Sequence, residues 1–479
     1  MPSRISRPEL QRISAYHWRI EPSGSMRVPV VVYADDELAR SMDTRALVQA
    51  CEVAQLPGIV EAAYAMPDAH WGFGFPSGSV AAFDLDAEGV LAAGGVGLDI
   101  ANGARLIHTG LDADAVLSQR ERLADALYAW VPPASLSPSR FRLSDGELEG
   151  LLTGGARRAV GYGWGDPSDL ESTEDRGRVY GADPDAVSRI ARARERRNIG
   201  TLGQDEHYIE VDRVAEIADP ARAQALGLAE GQATLSIHGG SHGLGHQIGT
   251  DYHEAMLAAI SSYGPPPSPE LAFAPIESPL GRRFFGALRA GINGALANRQ
   301  IMTHLARHAF AEVLPQAALQ VVCDSSCNTC RQEAHIVDGR ERLLYVHRKE
   351  AAPVFTPRDH AFPTAWHASG QPLIIGEVMG AESWVVTASD QARTQAFGSI
   401  PCGTGHSFGG HATIRRWRGP ETGAQLSARG ITTRSPSLRG AGEEAPGSSA
   451  RVRRLVEIIE QAGFIHRVAR LEPLICTEG

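Results

Sequence analysis

Lysine is all but missing from this chain. Across 479 residues Lys349 is the single lysine, and every other lysine-or-arginine position is arginine. A lysine nucleophile of the kind used by ATP-dependent ligases can therefore only be Lys349, and a Gly-Lys-Ser/Thr phosphate loop is excluded. Long apolar runs are missing too. None reaches the roughly 18 residues of a membrane-spanning helix. The start, Met1-Pro2-Ser3-Arg4, leads into polar sequence without the apolar stretch of a secretory signal, so a cytoplasmic, membrane-free protein is expected. Positive charge is not in excess either. A net charge of -10 removes any global electrostatic case for nucleic-acid binding and leaves only a local basic groove. Cysteine is sparse, with Cys51, Cys323, Cys327, Cys330, Cys402 and Cys476. In a cytoplasmic chain these point to metal binding or reactivity rather than to a disulfide framework. Their one cluster, Cys323 to Cys330, holds a single C-x-x-C pair, which is a weak zinc signal.

What is present is an ordinary globular composition, 43% hydrophobic and 21% charged, long enough for a sizeable core. Leu288, Ile292, Ala295 and Leu296 recur at helical spacing, which predicts a long helix over 283–314. Val452, Leu455, Val456 and Ile459 predict a second, ended by Gly463. The run Thr234 to His238 alternates as a strand, with His238 on its polar face. The proline-rich stretch 264–269 reads as a surface loop, and residues 428–449, rich in Gly, Ser, Pro and Arg, as a long mobile one. Strands and helices mix without βαβ regularity, so the expectation is one large α+β domain over 1–479, with mixed sheets around a deep cleft.

Four glycine-rich segments each carry a residue suited to chemistry. Asp99 sits within Gly94–Gly103, where a carboxylate between tight turns either reaches a metal or closes an Asx-type turn. His207 stands where a loop enters a strand, as a ligand or a half-buried strand histidine. His238, His242 and His246 lie among glycines that let backbone approach a ligand closely. Cys402, in the loop Gly398–His406, is either an exposed thiolate nucleophile or a small buried residue.

The order of these segments is more specific than any one of them. From Met66-Pro67-Asp68-Ala69-His70, through Asp99 to Gly103, His207 to Glu210, Gly243 to Gln247, Ala297 to Gln300, Tyr345 to Lys349, Met379-Gly380 and Gly403 to Gly405, to Gly479, the chain resembles the RtcB family. That family joins RNA 2′,3′-cyclic phosphate or 3′-phosphate ends to 5′-hydroxyl ends, in tRNA splicing or RNA repair, using GTP and manganese. The resemblance implies an RtcB-like fold around a metal-containing cleft. It implies metal ligation by Asp99, His207 and His238. The family's bridging cysteine is Asn102 here, and its third ligand histidine is Cys327, followed by a matching Asn328. The histidine that takes the nucleotide is Cys402, and the arginine after that motif is His406. Nucleotide contacts are implied at Glu206, Asn328, Gly376, Met379, Ser383, Gly403, Thr404, Gly405 and Glu478, with Glu206 and Glu478 replacing an asparagine and a guanine-contacting lysine. RNA phosphate contacts are expected from His242, Arg299, Arg348 and Lys349.

A cysteine is thus lost at Asn102 and one gained at Cys327. The set Asp99, His207, His238 and Cys327 is an O/N/N/S donor set that suits one tetrahedral Zn²⁺ better than bridged manganese. Three readings stay open. One is an RNA ligase activating a nucleotide through Cys402, with GTP as its cofactor. Another is a metal-dependent RNA-end phosphatase or phosphodiesterase without GTP. The third is a non-catalytic RNA-end binder. An archease-like activator is a partner that the resemblance brings with it.

Overall fold

The structure is a computed structural model, and it describes residues 6–203, 207–355, 362–376, 379–402, 425–436 and 448–479. Two large sheets carry it. One has seven strands and runs from the N-terminal hairpin to the pair Thr329–Val337 and Arg340–Lys349. The other positions the site. Its strands are β1 (Gly103–Asp112), β2 (Tyr208–Ile217), β3 (Gln232–Gly239), β4 (Gln320–Ser326), β5 (Pro372–Ile375), β6 (Ser383–Ala388), β7 (Thr432–Arg434) and β8 (Ile465–Glu478). The order is β4-β1-β3-β2-β8-β6-β5, with β7 pairing parallel to β8. Part of the loop expected over 428–449 is therefore a strand, while 437–447 lie outside the described residues.

Helix α1 (Arg120–Trp130), α2 (Asp145–Gly161), α3 (Arg189–Asn198), α4 (Gly243–Ala258), α5 (Pro279–Val313) and α6 (Ser448–Gln461) complete the frame. The long α5 starts where the sequence provides for it. Ser278 caps it by accepting from Gly281 N–H, and Pro279 takes the first turn, where its missing N–H costs nothing. From Ala290 to Thr303 α5 is buried on all sides, so this stretch is a core helix and not an amphipathic surface one. The predicted span 283–314 agrees with it to within a turn. Among the described residues no helix is long and apolar enough to cross a membrane.

The β-register does most to build the site. Gly103 pairs with both Ser326 and Gly239, and Tyr208 pairs with both His238 and Glu478. The start of β1, the end of β3, the start of β2, the end of β4 and the end of β8 thus fall along one edge of the sheet. Residues far apart in sequence, from Asp99 to Glu478, are gathered there by antiparallel pairing alone.

Candidate functional site

A cleft of about 1020 Å³ opens at this edge, lined by Asp99, Ser135, Arg194, Arg197, Asn198, His207, His242 and His246 among others. Asp99 and His207 meet on its wall, with Asp99 Oδ2 2.7 Å from His207 Nε2. The other carboxylate oxygen accepts from His242 N–H at 2.7 Å. His242 adopts φ +46°, a strained conformation for a residue with a Cβ, and it is this turn that aims its N–H at Asp99. Burial raises the Asp99 carboxyl, but the charge and hydrogen bond of His207 and the N–H of His242 outweigh it, and the net shift is downward. Glycine is required at two places beside this pair. A Cβ at Gly240 would lie 2.5 Å from Asp99 Oδ2, and one at Gly203 2.3 Å from His207 Nδ1.

His238 and Cys327 stand apart from that pair. His238 stacks on Tyr208 with ring centroids 4.3 Å apart. Burial, then His207 and Arg299, push its pKa down to about 3, so the ring is neutral and keeps a lone pair. With Cys327, Cys402, Ala352, Leu373 and Ile374 it borders a cavity of about 20 Å³, room for about one water molecule. Cys327 Sγ donates to Asn102 O at 3.0 Å, and its thiol hydrogen-bonds Cys402. The expected convergence of Asp99, His207, His238 and Cys327 on one point is not what the side chains do. Asp99 pairs with His207 while Cys327 pairs with Cys402, and among the described residues no three His, Cys, Asp or Glu side chains are gathered around a common metal position.

The donor chemistry next to the cleft nevertheless fits a divalent ion. Asp99 supplies an anionic oxygen and His207 an imidazole. Asn102, in the turn that starts at Asp99, has a buried Oδ1 with no hydrogen-bond partner among the described residues. An orphaned amide oxygen in the turn that follows Asp99 is a hard donor suited to such an ion.

Cys402 is partly accessible, as a nucleophile must be. In the metal-free protein it is a thiol rather than a thiolate. Its hydrogen bond with Cys327, then burial, then the carboxylates of Asp68 and Glu350, push its thiol well above the ordinary value. In metal-free protein at neutral pH, Cys402 should therefore be alkylated no faster than Cys51, whose own pKa is raised by burial to about 11. Mass-spectrometric footprinting with iodoacetamide measures this, and rapid selective labelling of Cys402 would contradict it. His406, Glu206, Gly403, Thr404 and Gly405 lie outside the described residues.

Three of the four residues expected to grip RNA are corrected by their burial. Arg299 is fully buried and spans the edge of the sheet from below. It pairs with Asp324 at 2.6 Å and donates to Ala101 O, Gly239 O and Ser326 Oγ. Arg348 is fully buried on Glu333, Ser399 and the backbone at Phe397. Lys349 is held by Phe73 O and Phe75 O, both at 2.8 Å, and burial lowers its pKa to about 8. A guanidinium or ammonium with its donors used internally cannot reach a phosphate outside. His242, by contrast, does face the cleft.

The expected nucleotide contacts divide as well. Asn328 is a bracket: its amide donates to Asp99 O and accepts from Glu350 N–H. Gly376 and Met379 lie against Tyr208, and Ser383 and Glu478 are buried nearby in β6 and at the end of β8, where Ser435 donates to the Glu478 carboxylate. Gly479 N–H donates to His207 O at 3.1 Å, and a Cβ there would lie 1.5 Å from Gly203 O. Gly479→Ala should therefore displace the backbone that carries His207 and cost about 1–3 kcal/mol, as overpacking does. A urea melt reads that loss, and an unchanged midpoint would refute the clash.

Sequence reasoning missed Arg194, Arg197, Asn198 and the buried Glu195. The signal was there in α3, whose five arginines lie between Arg189 and Arg197. Arg192 and Arg196 are tied to Asp185 and Asp145, while Arg194 and Arg197 are exposed on the cleft. Glu195 faces inward, and burial followed by the charge of Asp99 raises its pKa to about 8.

The family follows from comparison with known proteins. The family described as tRNA-splicing ligase RtcB matches residues 49–479. The chain is 41% identical over 477 residues to the tRNA-splicing ligase RtcB of Thermococcus kodakarensis, covering 98% of this chain and 99% of that one. It is 38% identical over 477 residues to the protein of the same name from Archaeoglobus fulgidus, covering 98% and 99%. It is 41% identical over 434 residues to the RNA-splicing ligase RtcB of Mycobacterium tuberculosis, covering 90% of this chain and all of that one. The chain belongs to the RtcB family.

Proposed function

We propose that this protein is an RNA ligase of the RtcB type, sealing RNA 2′,3′-cyclic phosphate or 3′-phosphate ends to 5′-hydroxyl ends of the kind left in split tRNA or damaged RNA. The observation that carries this reading is the Asp99–His207 pair on a cleft whose wall presents Arg194 and Arg197. The chain is acidic as a whole, so two exposed guanidiniums beside that pair are the local basic groove that an RNA end needs. Planar guanidinium forks match phosphate oxygens in pairs of hydrogen bonds. Asp99 and His207, with Asn102 in the turn that follows Asp99, would hold a divalent ion, which when bound supplies charge neutralisation for a phosphate and an activated oxygen nucleophile. His242 N–H fixes the Asp99 carboxylate, and Arg299 holds the backbone of the site from below.

Nucleotide activation by Cys402 is the finer part of the proposal. In that step Sγ would attack the α-phosphorus of GTP, forming an S–P bond and expelling pyrophosphate. The RNA 3′-phosphate would then displace the thiol, and the 5′-hydroxyl would displace GMP. A second reading, hydrolysis of terminal phosphates without a nucleotide, is favoured by the small cavity beside Cys402 and by its raised thiol. Intact-mass analysis after incubation with GTP and Mn²⁺ or Zn²⁺, alongside an end-joining assay, separates the two. A guanylate adduct lost in Cys402→Ala supports the ligase step. Release of inorganic phosphate, with no adduct and no effect of Cys402→Ala, overturns it.

Arg194→Ala and Arg197→Ala should each weaken binding of a single-stranded RNA bearing a 3′-phosphate. For each phosphate no longer neutralised, the slope of log K against log salt should become shallower by about 0.7. Filter binding between 50 and 200 mM salt checks this, since those values bracket roughly the range over which such interactions are screened. Equal slopes in wild type and both variants would remove RNA phosphate from this wall.

A further inference from the structure

Far along α5, outside the cleft, two histidines stand one helical turn apart. His304 Nε2 and His308 Nε2 face each other at 3.3 Å, with their rings nearly perpendicular at 4.7 Å between centroids. The cleft, the sheet edge and the reading proposed above make no use of them.

We propose that His304 and His308 chelate one late first-row divalent ion, Zn²⁺, Ni²⁺ or Cu²⁺, through their two Nε2 atoms, with water or a small ligand completing its coordination. Two imidazole nitrogens held at about 2.0–2.1 Å from a single tetrahedral ion lie roughly 3.3–3.4 Å apart. The spacing seen between the two nitrogens is that edge length. A histidine pair at i and i+4 on one helix face is also the arrangement by which helices present two imidazoles to zinc.

The surroundings hold this geometry in place. Leu305, Ala306 and Ala309 are buried, so the helix beneath the pair is fixed in the core. The His308 ring stacks on Trp130 at 4.9 Å and 18°, which sets its rotamer. The Trp130 indole N–H donates to Glu312 at 3.1 Å, placing a carboxylate one turn further along the same face. The neighbouring cation, Arg307, is turned away and bound to Asp169 and Leu319 O. Two imidazoles without a thiolate or carboxylate in the set bind by the ordinary affinity order, in which manganese is weakest and copper strongest. This ion therefore differs in kind from the hard-donor one suited to Asp99 and Asn102.

The test uses the full chain, stripped with a chelator, dialysed against micromolar zinc and analysed for metal per chain. Wild type should carry one zinc more than His304→Gln/His308→Gln. Each single variant should bind that zinc at least ~10–100-fold more weakly, since even loss of an outer partner of a metal ligand costs this much. Zinc should also raise the melting temperature of wild type by a step that the double variant lacks. His207→Ala should leave the same zinc in place, which separates this site from the cleft. Equal zinc content in wild type and the double variant would overturn the proposal. So would an extra zinc that appears only at millimolar concentration, the mark of an adventitious ion.

Discussion

Asp324→Ala should cost about 3–5 kcal/mol of folding stability, the scale of stranding a buried charge. Asp324 is fully buried and faces two guanidiniums that are fully buried as well. Oδ1 accepts from Arg299 Nε at 2.6 Å, and Oδ2 from Arg105 Nε at 2.9 Å. One carboxylate thus bridges two cations, and its removal leaves both without the carboxylate they are hydrogen-bonded to, in a region water does not reach. Burial alone would raise the Asp324 pKa, but the charges of Arg105 and Arg299 outweigh it and hold the pKa below the ordinary value. A depressed folded-state pKa means that the contribution is present above the unfolded value of about 3.9 and is lost as pH falls through the lower, folded value. At pH 7 the whole effect is therefore available to a urea titration. By contrast, Glu277→Ala removes an exposed partner of Arg282 and should change stability by less than about 1 kcal/mol. If Asp324→Ala shifts the midpoint no more than Glu277→Ala does, the two arginines have another source of compensation. The consequence reaches the site, because Arg299 also ties Ala101 O to Gly239 O. Any folded fraction of the variant should have a loosened sheet edge beneath Asp99 and His238.

The difference between Arg299 and Arg194 marks where sequence reading ran out. Both are arginines on helices near glycine-rich segments, and linear sequence favoured the one in the more specific motif. What decides between them is which face of its helix each occupies. Arg299 lies in the stretch Ala290 to Thr303 of α5, which is buried on all sides, so every direction from it is inward. Arg194 lies on a short helix of strongly alternating exposure, with Glu195 turned in beside it. The α+β class, the long α5, the strand ending at His238 and the ordered string of motifs were legible because periodicity and glycine placement are local. The edge that gathers Asp99, His207, His238, Cys327 and Glu478 was legible only through family resemblance, because strand register across hundreds of residues leaves no local trace. The pairing of Cys327 with Cys402 rather than with the two histidines had no signal at all. It depends on the Glu350 peptide, whose N–H is held by Asn328 and whose carbonyl accepts from Cys402 N–H.

Asp99→Asn should reduce RNA end joining at least ~100-fold, the scale of losing one group that stabilises charge in a reacting site, while leaving the fold intact. The substitution keeps the shape, and its amide oxygen can still accept from His242 N–H. It removes the negative charge and turns an N–H₂ or a neutral oxygen toward His207 Nε2, where the carboxylate now sits at 2.7 Å. The side chain keeps about 27% of its exposure on the cleft, so water can solvate the amide and the cost in stability should be small. His207→Ala removes the other member and should give a loss of similar size. If the two act as one unit, Asp99→Asn combined with His207→Ala should be little worse than either alone, as strongly coupled catalytic groups are non-additive. Single-turnover joining of a 3′-phosphate RNA to a 5′-hydroxyl RNA measures all three. Melting curves, with Gly479→Ala as a comparison, show whether the fold survived. Losses that multiply in the double variant would mean that Asp99 and His207 serve separate ions or separate steps. Full activity in Asp99→Asn would move the reacting centre away from this pair, toward the cavity shared by His238, Cys327 and Cys402.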